Sequence, residues 1–269
     1  MTVLKKSEYR TYAESFATGL RLSFSYYVFY HEEHKETGCP VKIENLHDWD
    51  VSYRNAVKIQ TDLKEKLILH DEDIPSEIHF IAGADISYSR GSDLFFAAVI
   101  LLQFPTMEII EKTSFSQRVK FPYIPGLLTF REGPALLKAF EKLNHRPDVV
   151  IFDGHGIAHP RGIGLASHMG LFLDMPTVGC AKKRLVGIYD EPGNEAGNYS
   201  PLTLDGRSIG VAVRTKKKVK PVFVSQGHKI SLQTAIDVVL STCAGYRLAE
   251  PVRKAHLEVN RIRLEHGFS

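Results

Sequence analysis

The chain has 269 residues, 43% hydrophobic and 24% charged, with a formal net charge of +3. That composition supplies a sizeable core for one or two domains and excludes a disordered chain, while the mild positive charge permits an anionic partner without demanding one. Cys39, Cys180 and Cys243 form no C-x-x-C pair, which excludes a disulfide framework and a zinc ribbon and points to a reducing, cytoplasmic compartment.

Residues 1–45 read as an N-terminal extension, one short helix plus a linker, with Phe24, Tyr26, Tyr27, Phe29 and Tyr30 crowded together. No continuous apolar stretch follows Lys5 and Lys6, so no secretory signal is expected; nor does any run approach the roughly 18 residues that cross a bilayer. His31, Glu32 and His34 imitate a zinc-protease motif, but the histidines are three apart rather than four, and a solvated polar stretch is expected. From Leu46 the pattern is regular. Trp49, the one tryptophan, is expected to seal the first helix onto the sheet with Leu46. Ser52 caps a helix whose apolar face is Ala56, Ile59, Leu63 and Leu67.

Ile78–Tyr88, Leu94–Gln103 and Met107–Ser116 then read as three strands joined by short turns. An amphipathic helix is predicted over Arg131–Leu143. Val149–Phe152 is a continuous apolar run, the pattern of a strand buried on both faces. A helix over 163–173 and a strand beginning at Pro176–Gly179 follow. Ile209–Arg214 and Val222–Ser225 pair around Lys216–Lys218, Ser231 caps a further helix, and Pro251 opens the last one, through Arg263. Three strands followed by alternating helices and strands predict one mixed α/β sheet with helices on both faces.

Carboxylates stand where strands should be apolar. Asp85 lies within a strand pattern and shares a face with Gly83 and Ser87; unless the strand is an edge in water, an ionised carboxylate there needs a partner or a metal. Asp153 ends the buried strand, and open α/β folds bind ligands beyond such carboxyl ends; the alternative is an Asp-Gly turn, but the His155–Arg161 stretch that follows disfavours a tight hairpin. Gly154-x-Gly156 is not a dinucleotide fingerprint, since the third glycine position holds His159. Glu132 follows Thr129 by three, a capping box, and on the residues alone capping is its favoured role. If the three acids converge, they form a hard-oxygen cage suited to Mg²⁺ or Mn²⁺ and to phosphodiester hydrolysis.

Residues 46–269 resemble the endonuclease V family of deoxyinosine-directed repair nucleases. The likeness is carried by Gly83-Ala-Asp-Ile-Ser-Tyr88, Phe121-Pro-Tyr-Ile-Pro-Gly126, Phe130-Arg-Glu-Gly-Pro134, Val150-Ile-Phe-Asp-Gly154, His159-Pro-Arg161, Ala166-Ser-His-Met-Gly170, Gly179-Cys-Ala-Lys182 and Val224-Ser-Gln-Gly-His228. Residues 1–45 lie outside it, and Gln226 stands where the family often has proline. The resemblance implies a ribonuclease H-like fold. Its metal ligands are Asp85, Asp153 and Glu132, with Mg²⁺ as cofactor and Mn²⁺ able to substitute. Lys182 approaches the scissile phosphate or its water, and His228 is an auxiliary catalytic residue. The implied reaction is Mg-assisted water attack on the second phosphodiester 3′ of deoxyinosine in DNA, leaving 3′-hydroxyl and 5′-phosphate ends. Inosine-containing RNA is a second candidate substrate. No membrane and no obligate protein partner is implied.

Pro122 and Pro125 stiffen the loop that presents Tyr123 and Ile124. On the residues alone, packing onto the core and wedging between bases rank equally; the resemblance favours the wedge. Gly154, Gly156 and Gly164 are expected to let backbone approach a flipped base. Lys182-Lys-Arg184 and Arg214–Lys218 are candidate phosphate contacts, with a solvated turn the default for Lys216–Lys218. His145, His155, His168 and His256 are expected at the surface or in packing. The competing functions are a nuclease selective for mismatches, flaps or abasic sites, and a lesion-binding protein without cleavage.

Overall fold

Alternation along the apolar runs sets the two faces of the sheet. The structure is a computed structural model that describes residues 40–268; the expectations for the aromatic run and His31–His34 lie outside the described residues. Within the described residues, the first helix is α1 (Tyr53–Lys64). Strands β1 (Phe80–Tyr88), β2 (Leu94–Gln103) and β3 (Glu108–Arg118) follow. Next come α2 (Leu128–Phe140), β4 (Val149–Phe152), α3 (Leu165–Leu173) and β5 (Thr177–Ala181). The chain continues through β6 (Tyr199–Leu204), β7 (Arg207–Val213), β8 (Val222–His228), α4 (Leu232–Ser241) and α5 (Glu250–Glu265).

The strands form one sheet in the order β3-β2-β1-β4-β5-β8-β7-β6. The pairs β1/β4 and β4/β5 are parallel, and the other neighbours are antiparallel. Ala82 and Ala84 of β1 and Val150 and Phe152 of β4 face Leu136, Phe140, Ala166 and Met169 of α2 and α3. The alternate residues, Ile81, Val149 and Ile151, face Ala235, Ile236 and Val239 of α4 and Val252 of α5. Helices therefore cover both faces, as the element order predicts. Each large side chain buried in these layers contributes about 1.5–3 kcal/mol.

Local signals place most boundaries. Ser52 accepts from the Asn55 amide at 3.3 Å and Ser231 from the Thr234 amide at 3.2 Å, so both predicted caps form. Leu67 falls beyond the end of α1. The structure adds the strand β6, which carries Pro201; β6 is the edge strand of the sheet, where proline is tolerated. Trp49 stacks on Phe172 with centroids 4.8 Å apart and also packs against α1 and α2, so it joins helices as well as sealing them to the sheet. Val41 is buried in the same core. Among the described residues no helix is long and apolar enough to cross a membrane.

Gly83 brings α5 against the sheet: a Cβ there meets the Pro251 carbonyl oxygen at 2.0 Å. Backbone cannot move aside as a side chain can. Gly83→Ala is therefore expected to destabilise the protein by about 1–3 kcal/mol, read as a lower urea midpoint with little change in slope.

Candidate metal centre

Register brings two carboxylates together. The last parallel pairs of β1 and β4 are Gly83↔Ile151 and Ala84↔Phe152, so Asp85 and Asp153 are the next residues on adjacent strands. The Asp153 amide donates to the Ala84 carbonyl at 3.3 Å, which keeps the strands in step past the ladder. By period two, both acids share the face of Gly83 and Ile151, toward α5. Asp85 Oδ1 accepts from the Ile86 amide at 2.8 Å.

Two further strand-end and helix positions complete the group. Lys182 follows β5 on the same face as Cys180, and its Nζ donates to Asp153 Oδ2. Arg247 donates to the Lys182 carbonyl at 2.6 Å and to the Pro221 carbonyl at 2.9 Å, fixing the backbone from which that lysine projects. His256 on α5 lies with Nδ1 2.7 Å from Asp85 Oδ2. One ligand atom each from Asp85, Asp153 and His256 fall within 4.8 Å of one another. Asn260, one turn on, holds its amide 3.4 Å from both ring nitrogens of His256, and its Oδ1 accepts from Ser87 at 2.9 Å.

Glu132 does not cap its helix. The N-cap of α2 is Leu127 and makes no side-chain bond, so Thr129 is already the second helical residue and the predicted capping box is not formed. Glu132 instead sits near the other acids: desolvation, then Asp85 and Asp153, push its carboxyl up to about 8. Asp153 is also raised, by desolvation and by Asp85, with Lys182 pulling the other way. These oxygens, with one imidazole, suit a hard divalent cation, and the like-charge repulsion among them is what a cation relieves. The residues present fit such an ion.

The remaining predicted residues lie elsewhere. His228 pairs with Thr177, five residues before Lys182, and thus about 16 Å back along β5 at 3.3 Å per residue. Its Nδ1 accepts from the Ile68 amide at 3.2 Å, tying the loop after α1 to the end of β8. Gln226 does related work, donating to the Leu69 and Ile230 carbonyls at 2.8 and 3.0 Å. The cluster's histidine is His256, which sequence reasoning placed among surface and packing histidines. Nothing local marks it; Gly83 is the one trace, because it lets α5 reach the strand of Asp85. His145, His155 and His168 do take packing roles: His145 meets Glu111 at 3.2 Å, His155 the Lys183 carbonyl at 3.0 Å, and His168 packs among Trp49, Phe130 and Phe172.

The three glycines have structural reasons. The amides of Gly154, Gly156 and Gly164 donate to Phe152 O, Ser225 Oγ and Gly156 O at 2.8, 2.9 and 2.9 Å. A Cβ on Gly156 meets the Gln226 carbonyl at 1.8 Å, and one on Gly164 the His155 carbonyl at 2.4 Å. Tyr123 is 65% exposed between buried Phe121 and Leu127, while Pro122 and Pro125 flank it and Ile124 packs partly against Phe121. The ring of Tyr123 faces outward and Ile124 packs inward, so the core-packing alternative holds for the isoleucine and not for the tyrosine. Arg214 is not a surface cation: it is buried, donating to the Gly193, Pro192 and Val219 carbonyls and pairing with Glu191. Lys216–Lys218 are solvent-facing, as expected of a solvated turn.

Comparison with known proteins gives a consistent result. The endonuclease V family profile matches residues 61–257. Endonuclease V of Dictyoglomus thermophilum is 48% identical over 207 residues, covering 77% of this chain and 89% of that protein. Endonuclease V of Dehalococcoides mccartyi is 47% identical over 217 residues, covering 81% and 96%. The crystal structure of the Bacillus subtilis endonuclease V superposes with a TM-score of 0.80 at 33% identity, over 84% of this chain and 98% of that one. Endonuclease V of Ciona intestinalis, solved with a 24mer DNA containing an inosine followed by a ribo-adenosine, superposes at 0.70 and 29% identity, over 79% and 98%. The shared architecture is the ribonuclease H-like α/β fold.

The Glu132 carboxyl has an ordinary value of 4.5 and a folded value of about 8, so the folded state holds a proton that the unfolded state releases between those limits. In EDTA, stability is therefore expected to fall as pH rises from about 4.5 through about 8. Glu132→Gln should flatten that slope, leaving the part due to Asp153, and be more stable than the parent at pH 8. Magnesium ion should raise the melting temperature of the parent more than that of the variant; thermal melts at each pH, with and without the ion, check both.

Proposed function

Because the chain belongs to the endonuclease V family, we propose that it is a metal-dependent endodeoxyribonuclease directed at deoxyinosine. It hydrolyses the second phosphodiester 3′ of the lesion and leaves 3′-hydroxyl and 5′-phosphate ends. The observation that carries the reading is the meeting of Asp85 and Asp153 with His256 at one strand-end rim. The Ciona relative's complex with inosine-containing DNA supports the substrate class. Inosine-containing RNA is a second substrate, and a cytoplasmic location belongs to the same reading.

Asp85, Asp153 and Glu132 hold the cation, Mg²⁺ with Mn²⁺ able to replace it. The chemistry supplied by that ion is activation of water and stabilisation of charge on phosphate oxygens. The chain's own groups do the rest. Asp85 bonds His256 at Nδ1 and so orients its ring. His256 thus takes the auxiliary role that the sequence assigned to His228. Lys182 stands beside Asp153 with its ammonium partly exposed, where it meets an anionic phosphate. Tyr123, held out by a loop with Pro122 and Pro125, fills the gap left by the displaced base; Ile124 anchors that loop to the core. Gly154, Gly156 and Gly164 contribute a close-packed pocket wall rather than free amide donors, since those amides are already bonded.

Mapping the cut on an inosine-containing strand tests the reaction directly. A nick one bond beyond the neighbouring nucleotide, lost in EDTA, is expected; equal cutting of normal, mismatched and abasic duplexes points to structure selectivity instead, and binding without a nick to a lesion-binding protein. Asp85→Ala and Asp153→Ala should each lower nicking by about 100-fold or more while inosine binding persists. His256→Ala should cost at least about tenfold more than His228→Ala, which reverses the ranking read from sequence. Tyr123→Ala should weaken cleavage of inosine in duplex more than in single strands, measured on paired oligonucleotides.

A further inference from the structure

Three side chains converge on one backbone carbonyl. Gly126 O, just after the Pro122–Pro125 loop, accepts from Gln60 Nε2 at 3.0 Å, His159 Nε2 at 3.1 Å and Arg161 Nη2. A carbonyl offers two lone pairs, so this exceeds what backbone satisfaction requires. Gln60 projects from α1 and is only 1% exposed. Its Oε1 accepts from Arg161 Nε at 2.6 Å, and its Nε2 also reaches the Ile163 carbonyl at 3.4 Å. His159 Nδ1 accepts from the Arg161 amide at 3.2 Å, which puts the ring proton on Nε2, facing Gly126. Burial, with Arg161 beside it, pushes this imidazole down to about 4, so the ring stays neutral in that tautomer.

A buried glutamine and a buried histidine are costly unless bonded. Here every bond they make ends on the hinge of one loop or on the segment after Asp153. The other end of the loop is held as well: Arg131 donates to the Phe121 carbonyl at 2.8 Å, and the Phe121 ring stacks on Phe130 with centroids 5.3 Å apart. Gly126 has φ +79°, and a Cβ there meets Arg161 at 2.7 Å, so the hinge admits no other residue without displacing the guanidinium. Between two fixed ends stands the exposed ring of Tyr123.

We propose that Gln60 and Arg161 are positioning residues that lock the hinge at Gly126, so that Tyr123 enters the base stack from a preorganised loop, and that they tie this loop to the segment leaving the metal carboxylate Asp153. The inference rests on the wedge reading of Tyr123. A loop ordered before DNA arrives spends no binding energy on its own ordering, so the clamp matters only where a stack must be opened.

Gln60→Met keeps the length of the buried side chain and removes its hydrogen bonds. Nicking kinetics are measured on an inosine duplex and on the same strand alone, with 2-aminopurine beside the lesion reporting unstacking. The duplex KM is expected to rise about tenfold, with a change under about threefold on the single strand, and the 2-aminopurine signal on the duplex should drop. Equal losses on both substrates, or none, overturn the proposal. In the double variant with Tyr123→Ala, the Gln60 change should add little further loss on duplex; full additivity overturns an action through Tyr123. Arg161→Lys, at a partly exposed position, carries the same comparison if Gln60→Met does not fold. If Tyr123→Ala itself fails to separate duplex from single strand, the wedge reading is what fails; if it separates them and the clamp variants do not, only the clamp fails.

Discussion

Like charges at the rim of one sheet constrain everything else in this protein. Asp85 and Asp153 lie side by side beyond the last parallel pairs of β1 and β4, and Glu132 adds a third carboxyl from α2. Bringing such groups together costs free energy that a compact fold does not recover by itself. Lys182 answers part of the charge at Asp153, and the His256 ring bonds Asp85. The elevated Glu132 shows how much repulsion and desolvation remain. A site built this way favours whatever brings positive charge into it.

The layers exist to hold that rim at close range. Small residues let backbone approach where a Cβ would forbid it: Gly83 under Pro251 brings α5 and His256 to Asp85, and Gly156 against the Gln226 carbonyl seats the segment after Asp153 on β8. The centre is completed late in the chain, since α5 is its last helix. Asn260 and Arg247 then fix what the layers bring near, the first at the His256 ring and the second at the Lys182 backbone. The far end of β8 serves the fold instead, because His228 and Gln226 fasten the Ile68–Leu69 turn there.

The nucleic-acid side follows the same logic of prior order. The Phe121–Gly126 loop is anchored at both ends through backbone carbonyls, and its exposed tip is aromatic. Lys182 is engaged with Asp153, whereas Arg214, for all its basic neighbours, is buried in service of the 190–198 loop. Surface charge density alone would misjudge both.

What the sequence determined by itself is what short-range physics governs. The continuous apolar run Val149–Phe152, the caps Ser52 and Ser231 and the loop prolines each act within a few residues, and their elements appear where those signals put them. The mixed sheet and the acids Asp85 and Asp153 were legible because a charge in an apolar strand is a local contradiction. Tertiary structure alone decided the rest. His256 lies 171 positions from Asp85, and only the register of β1 with the approach of α5 makes them neighbours. Glu132 reads locally as part of a capping box, but α2 starts one residue before Thr129, and His228 on β8 lies opposite Thr177, at the end of β5 away from Lys182. A residue's chemistry is written in its side chain, but its partners are set by strand order and layer packing, and those follow from the whole chain folding at once.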